Sequence, residues 1–162
     1  MSESHAPGLY AAVIASRPEL LPWMPWALEP TLEASVAMTR RDEKAWREER
    51  VFQFVLVEKE KGDELGVAGL DREGAAVAAL HYWIRSDHTG RGLTTEAARA
   101  LVDWARDELH LERLTLWAGS ENRASRRVAE KLGFMHVGPL DWRPDGGLGD
   151  FPAESYELRF SS

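Results

Sequence analysis

The sequence contains no cysteine. That absence excludes disulfides, a thiolate zinc site and a covalent acyl-cysteine intermediate, so any acyl transfer by this chain has to take another route. Long apolar runs are missing as well, and nothing approaches the roughly 18 residues that a membrane-spanning helix needs. The opening Met1-Ser2-Glu3-Ser4-His5 lacks the basic start and apolar core of a signal peptide, so the expected location is cytoplasmic. Positive charge is scarce too. Twenty Lys and Arg against 27 Asp and Glu leave a net charge of −7, the wrong sign for a general nucleic-acid binder but compatible with a cationic amine partner. No two histidines have the paired spacing of a metal site. Low-complexity linkers and internal repeats are also lacking, and 162 residues suffice for one domain, 1–162, with a real core.

What is present is a regular succession of periodic segments. Leu9, Val13, Leu20 and Leu21 mark a first helix that Pro18 should interrupt or restart, ending in Pro22-Trp23-Met24-Pro25-Trp26. A second helix is expected over 31–49. Its stretch 40–50 holds nine charged residues in eleven positions and reads as a solvated face without chemistry. Alternating, β-branched and aromatic residues at 51–58, which Lys61-Gly62-Asp63 separates from 64–70, predict a hairpin of the two segments, and 76–85 reads as a further strand. Next come a glycine-containing loop, a helix at 94–109, a strand at 113–117, a helix at 123–132, a strand from Phe134 and a last strand at 154–160. Strands followed by this alternation imply an α/β (α+β) chain with helices on the faces of a mixed sheet.

The loop Thr89-Gly90-Arg91-Gly92-Leu93-Thr94, running into Thr95, sits between a predicted strand and a helix with apolar residues at 93, 97, 101, 105 and 109. At such a junction glycines allow close backbone approach, and the free N–H groups of the helix start favour an anion. A pyrophosphate suits that place, and Arg91 adds a possible charge-assisted contact. An ordinary helix-start turn has the same residues. The Walker loop fails because no Gly-Lys-Ser/Thr follows, and the dinucleotide fingerprint fails because it needs glycine where Thr95 stands.

A second motif gives the loop its meaning. The run Tyr82-Trp83-Ile84, Gly90 to Ala97, Glu121-Asn122-Arg123-Ala124-Ser125 and Val128 to Phe134 resembles the GNAT N-acetyltransferases, most closely their RimJ/RimL-like branch of ribosomal-protein N-terminal acetyltransferases. Leu9-Tyr10, Arg17, Leu20 and Trp23-Met24-Pro25-Trp26 resemble that branch's opening helix and its Trp-x-Pro-Trp signature, so the likeness covers nearly the whole chain. The resemblance implies the GNAT fold: a mixed, mostly antiparallel sheet of six to seven strands flanked by about four helices. Only seven residues precede Gly8, so the family's first edge strand is expected to be missing.

The resemblance further implies acetyl-CoA as cofactor and an amine acceptor, either a protein N-terminus or a small amine. The alternative to an enzyme is a non-catalytic acyl-CoA-binding module. A second copy of the chain is a further candidate partner. Thr89 to Thr95 would hold the pyrophosphate, with Thr89 replacing the family's Gln or Arg and Thr94 its final Gly or Ala. Ile84 and Arg85 would pair with the pantetheine arm, a backbone N–H there polarising the thioester carbonyl. Asn122 and Ser125 match the branch's Asn-x-x-Ser, which faces the cofactor; Asn122 also suits a helix N-cap, and Ser125 a helix surface. Many GNAT enzymes carry a tyrosine acid where this chain has Ala129, which leaves Ser125 as the candidate acid. His81, alternating with Trp83 on one strand face, is the candidate titratable helper, or a histidine hydrogen-bonded within the sheet. Trp23, Trp26 and Tyr156 are candidate acceptor contacts, or packing residues.

Overall fold

The computed structural model describes residues 1–140 and 152–160. Within them lie four helices, α1 (Ala6–Leu20), α2 (Leu32–Arg47), α3 (Leu93–Asp107) and α4 (Arg123–Lys131). Six strands accompany them: β1 (Val51–Val57), β2 (Glu64–Arg72), β3 (Val77–Ile84), β4 (Arg113–Gly119), β5 (Met135–Pro139) and β6 (Ala153–Arg159). The strands form one sheet in the order β1-β2-β3-β4-β6-β5, antiparallel except for the β3/β4 pair. This is the mixed, mostly antiparallel sheet expected. Residues 1–5 contain a single 3₁₀ turn and no strand, so β1 is the sheet's outer strand on that side. Among the described residues no helix is long and apolar enough to cross a membrane.

Alternation along the strands divides the sheet's side chains between two layers. Phe52, Ala68, Leu70, Ala78 and Leu80 join Ala98, Leu101 and Ala105 of α3 and Ala129 of α4 in one core. Val67 and Trp83 join Leu9, Ala12, Val13 and Leu20 of α1 in the other. Trp46 of α2 reaches round the β1 edge, stacking at 6.3 Å on Trp104 of α3 and meeting Phe52 and Phe54 edge-on at 5.2 and 5.1 Å. Such aromatic pairs are worth about 0.5–1.5 kcal/mol each beyond the area they bury, so they fasten both helix layers to the outermost strand.

Two local expectations need correction. α1 is not interrupted at Pro18; it continues to Leu20, and Leu21 N–H still donates to the carbonyl of Arg17. Proline this close to a helix end removes only the bond to the Ile14 carbonyl, and the buried Leu20 keeps the last turn packed. Nor is the charged stretch of α2 solvated throughout. Thr39, Asp42 and Ala45 recur on the inward stripe and are buried, Asp42 to 4% exposure. Helical period, not composition, decides which face turns inward. Thr31 starts this helix as its N-cap, accepting from Ala34 N–H at 3.0 Å.

Candidate active site

The parallel pairing of β3 with β4 lasts for three residues only: Val77, Ala78 and Ala79 match Arg113, Leu114 and Thr115. Both strands run on, to Ile84 and Gly119, without pairing to each other. The sheet therefore opens between them. The backbone groups of one strand alternate between its two neighbours. Arg85 N–H donates to Leu65 on the β2 side at 2.7 Å, and Trp83 turns its carbonyl the same way, so close that a Cβ on Gly66 would lie 2.1 Å from that oxygen. The N–H and C=O groups of Tyr82 and Ile84 consequently point into the opening. Ile84 thus turns its peptide N–H to the opening. Arg85 does not: its N–H is committed to Leu65, and its guanidinium grips Asp87 at 3.0 and 2.7 Å. The hydrogen bonds from Arg85 and His88 hold the Asp87 carboxyl well below the usual carboxylate range.

At the end of β3 a short turn, Ser86–His88, leads to the loop. The fully buried Ser16 of α1 accepts from Ser86 N–H at 2.9 Å, and the Thr89 hydroxyl donates back to the Ser86 carbonyl at 2.7 Å. Thr89 thus closes a turn where a Gln or Arg side chain would project. Gly90 (φ 75°) and Gly92 (φ 82°) both take the left-handed conformation, and Gly92 is the N-cap of α3. Among the described residues none accepts from the backbone N–H groups of Gly90, Arg91, Gly92, Leu93, Thr94 or Thr95. A row of unpaired donors at the positive end of a 15-residue helix fits a pyrophosphate. Arg91 lies exposed beside it, with no ion pair among the described residues.

Across the opening, α4 brings in the second motif. Asn122 is its N-cap, Oδ1 accepting from Ser125 N–H at 3.1 Å. The Ser125 hydroxyl lies 3.1 Å from that of Tyr82, which also donates to the Ser125 carbonyl at 3.2 Å. Burial pushes the Tyr82 phenol up to about 12, with the Ser125 hydrogen bond pulling the other way. Tyr82 was not singled out by residue type or spacing. Its partner lies 43 residues further on, and no local pattern reports a contact at that distance.

His81 and Trp83 face the opposite layer. The imidazole of His81 turns back across β2, over Gly69, where a Cβ would meet Nε2 at 2.7 Å. Nε2 lies 3.3 Å from Gln53 Oε1, and Nδ1 lies 3.4 Å from Asp71 Oδ2 without hydrogen-bond geometry. The ring therefore points away from the opening. Of the acceptor candidates, Trp26 stays 47% exposed and meets Trp83 edge-on at 5.9 Å. Its 3₁₀ turn is pinned by Arg17, which donates to the carbonyls of Ala27 and Leu28. Trp23 is partly buried beside it. Tyr156 is a core residue at 2% exposure, its hydroxyl accepting from Arg126 at 3.1 Å.

This arrangement agrees with comparisons to known proteins. The family model described as "Acetyltransferase (GNAT) domain" matches residues 1–135. "Putative ribosomal N-acetyltransferase YdaF" of Bacillus subtilis is 39% identical over 61 residues, which is 38% of this chain and 33% of that protein. The chain thus spans about a third of that relative's length. Mycobacterium smegmatis RimJ, solved in complex with CoA-disulfide, superposes with a TM-score of 0.83 at 22% identity, over 98% of this chain and 79% of that one. The microcin C7 self-immunity acetyltransferase MccE, solved with acetyl-CoA and AMP, gives 0.85 at 19% identity, over 98% and 89%. With the family match spanning residues 1–135, the chain belongs to the GNAT acetyltransferase family.

Proposed function

We propose that this chain is an acetyl-CoA-dependent N-acetyltransferase whose acceptor is a primary amine, a protein or peptide N-terminus first among them. The observation that carries the reading is the conjunction of two backbone features. Outward-facing peptide groups at Tyr82 and Ile84 lie a few residues before six N–H groups, leading into α3, that have no acceptor among the described residues. One set suits an extended amide-bearing arm and the other a pyrophosphate, the two chemistries that coenzyme A joins in one molecule. Bound acetyl-CoA supplies an activated acyl carbon and a thiolate leaving group.

The chain's own residues do the rest. Gly90 to Thr95 and Arg91 hold the phosphates, and Ile84 N–H donates toward the acyl oxygen as negative charge gathers there. Ser125 donates a proton to the departing sulfur. An α-amino group, ionising near 7.7–8.0, reaches its neutral, nucleophilic form far more readily than lysine at about 10.4, so an N-terminus needs no strong base from the protein. That matters because His81, the candidate helper on β3, is turned away. Trp26, exposed above Trp83, forms one wall of the acceptor side. The resemblance to the RimJ/RimL-like branch and the relative named as a ribosomal N-acetyltransferase support a protein N-terminus over a small amine.

Calorimetric titration with acetyl-CoA tests the cofactor, and thiol release with a panel of N-terminal peptides, polyamines and aminoglycosides tests the acceptor. Absence of binding at millimolar acetyl-CoA would overturn the whole reading. Release with small amines alone would replace the acceptor, and binding without release on any amine would leave an acyl-CoA-binding module.

A further inference from the structure

Ser16 and Arg17 are neighbours on α1, yet they bond to two different parts of the site. Ser16 is fully buried, and its Oγ accepts from Ser86 N–H at 2.9 Å. Arg17 is exposed; its Nε donates to the Ala27 carbonyl at 3.2 Å and its Nη2 to that of Leu28. We propose that both are positioning residues, Ser16 for the phosphate-binding loop and Arg17 for the wall that Trp26 presents to the acceptor, so that one helix sets the two substrates against each other. The inference rests on the assignment of acetyl-CoA to the loop and of the acceptor to the Trp26 side.

Consecutive residues of a helix point about 100° apart, so α1 can hold the sheet with one and a flanking segment with the next. Its inward stripe is otherwise apolar, made of Ala6, Leu9, Ala12, Val13 and Leu20. A hydroxyl in that company carries a desolvation cost that alanine would not, and a hydrogen bond is what offsets it. The bond goes to the turn after β3. Arg85 N–H still bonds sideways to Leu65 of β2, whereas Ser86 N–H, one residue later, bonds to α1; Ser16 therefore fixes the point at which the chain leaves the sheet. From there the restraint runs into the loop. The Ser86 carbonyl accepts from the N–H of Thr89 at 3.2 Å and from its hydroxyl at 2.7 Å, immediately before Gly90. Gly90 and Gly92, both at left-handed φ, have no side chain with which to anchor the loop, so its aim is inherited from Thr89 on one side and α3 on the other. Arg17 acts on the acceptor side in the same manner. Charge-assisted bonds to two successive carbonyls hold the end of the Pro25–Ala27 turn, and with it the half-exposed Trp26 edge-on to Trp83.

The two roles are told apart by which substrate each residue affects. Calorimetry should show Ser16→Ala weakening CoA binding about five- to tenfold, the yield of one hydrogen bond, with the KM of acetyl-CoA rising in step and that of the acceptor unchanged. Arg17→Met keeps the aliphatic stem and removes the donors. It should raise the KM of the peptide or amine that the wild type acetylates by about fivefold or more and leave CoA affinity where it was. Amide exchange adds a local readout: in Ser16→Ala the Ser86 and Thr89 amides should exchange faster while that of Arg85, bonded to Leu65, stays slow. If either variant shifts both substrates alike, or neither, its residue serves only the stability of α1 and its positioning role is refuted. Should Ser16→Ala not fold, Ser16→Cys keeps the volume and offers a weaker acceptor; CoA affinity should then fall by a smaller factor, and an unmoved affinity would overturn the role of Ser16. A wild type that fails to bind CoA would instead sink the reading on which the inference rests.

Discussion

The two faces of the sheet carry polar groups of opposite design. On the α3/α4 face, Tyr82, Ser125 and Asn122 are mutually bonded, lie beside the opening between β3 and β4, and hold no formal charge. On the α1/α2 face, His81, Asp42, Asp71 and Gln53 form the more titratable group, yet His81 is folded over Gly69 and away from the opening. Two of its atoms, His81 Nδ1 and Asp42 Oδ2, are buried with no hydrogen-bond partner among the described residues. Histidine and aspartate attract a mechanistic role by chemical type, but reach and direction come before ionisation in deciding what a side chain does. The neutral hydroxyl pair is the group that lies beside the opening.

The largest effect should come from the element both faces depend on. Gly92→Val places a β-branched side chain at φ 82°, a conformation such residues avoid at a cost of about 1–2 kcal/mol. Misdirecting the N–H groups of the first turn of α3 should weaken CoA binding at least tenfold by calorimetry, with Ile84 and Ser125 untouched. The comparison of faces is then sharpened by Ser125→Ala against His81→Ala. The first should lower kcat roughly tenfold to a hundredfold, toward the low end of what positioned proton donors contribute, and the second by less than about threefold. An equal loss from both would break the comparison.

Asp42 gives a smaller effect, read in stability. Burial raises its carboxyl pKa above the ordinary value, against the opposing pull of Arg41. The native state therefore binds this proton more tightly than the unfolded chain does. That stabilisation is complete below the ordinary carboxylate value and is lost as pH rises through the raised one. Asp42→Asn should remove this pH dependence and raise Tm at neutral pH by about 2–4 °C, corresponding to about 1 kcal/mol, with the gain vanishing in acid. Smallest of all, Trp26→Ala should cost about 1 kcal/mol through its pair with Trp83 and raise the acceptor's KM while leaving that of acetyl-CoA alone.

The elements were largely legible in the sequence because alternation and helical period are local properties. The hairpin of β1 and β2, the glycine turn before α3 and the Asn122 cap of α4 all follow from residues within a few positions of each other. What stayed hidden depends on distant partners or on torsions. Asp42 is one of the nine charged residues at 40–50, and only the placement of α2 on the sheet buries it. The direction of His81 is decided by Gly69, twelve residues away and on another strand. Tyr82 meets Ser125 across the opening, and Arg85 loses its expected backbone role because Leu65 takes its N–H first.

The early parting of β3 from β4 has a consequence for how the protein exchanges its amide protons with solvent. Strands in the middle of a sheet ordinarily protect their N–H groups up to the limit set by global unfolding. Here Tyr82 and Ile84 occupy the third strand of six, yet face a gap. Their amides should exchange fast in deuterated buffer while that of Arg85, bonded to Leu65, stays slow. A ligand that threads the gap should invert that order and leave its footprint at alternate residues.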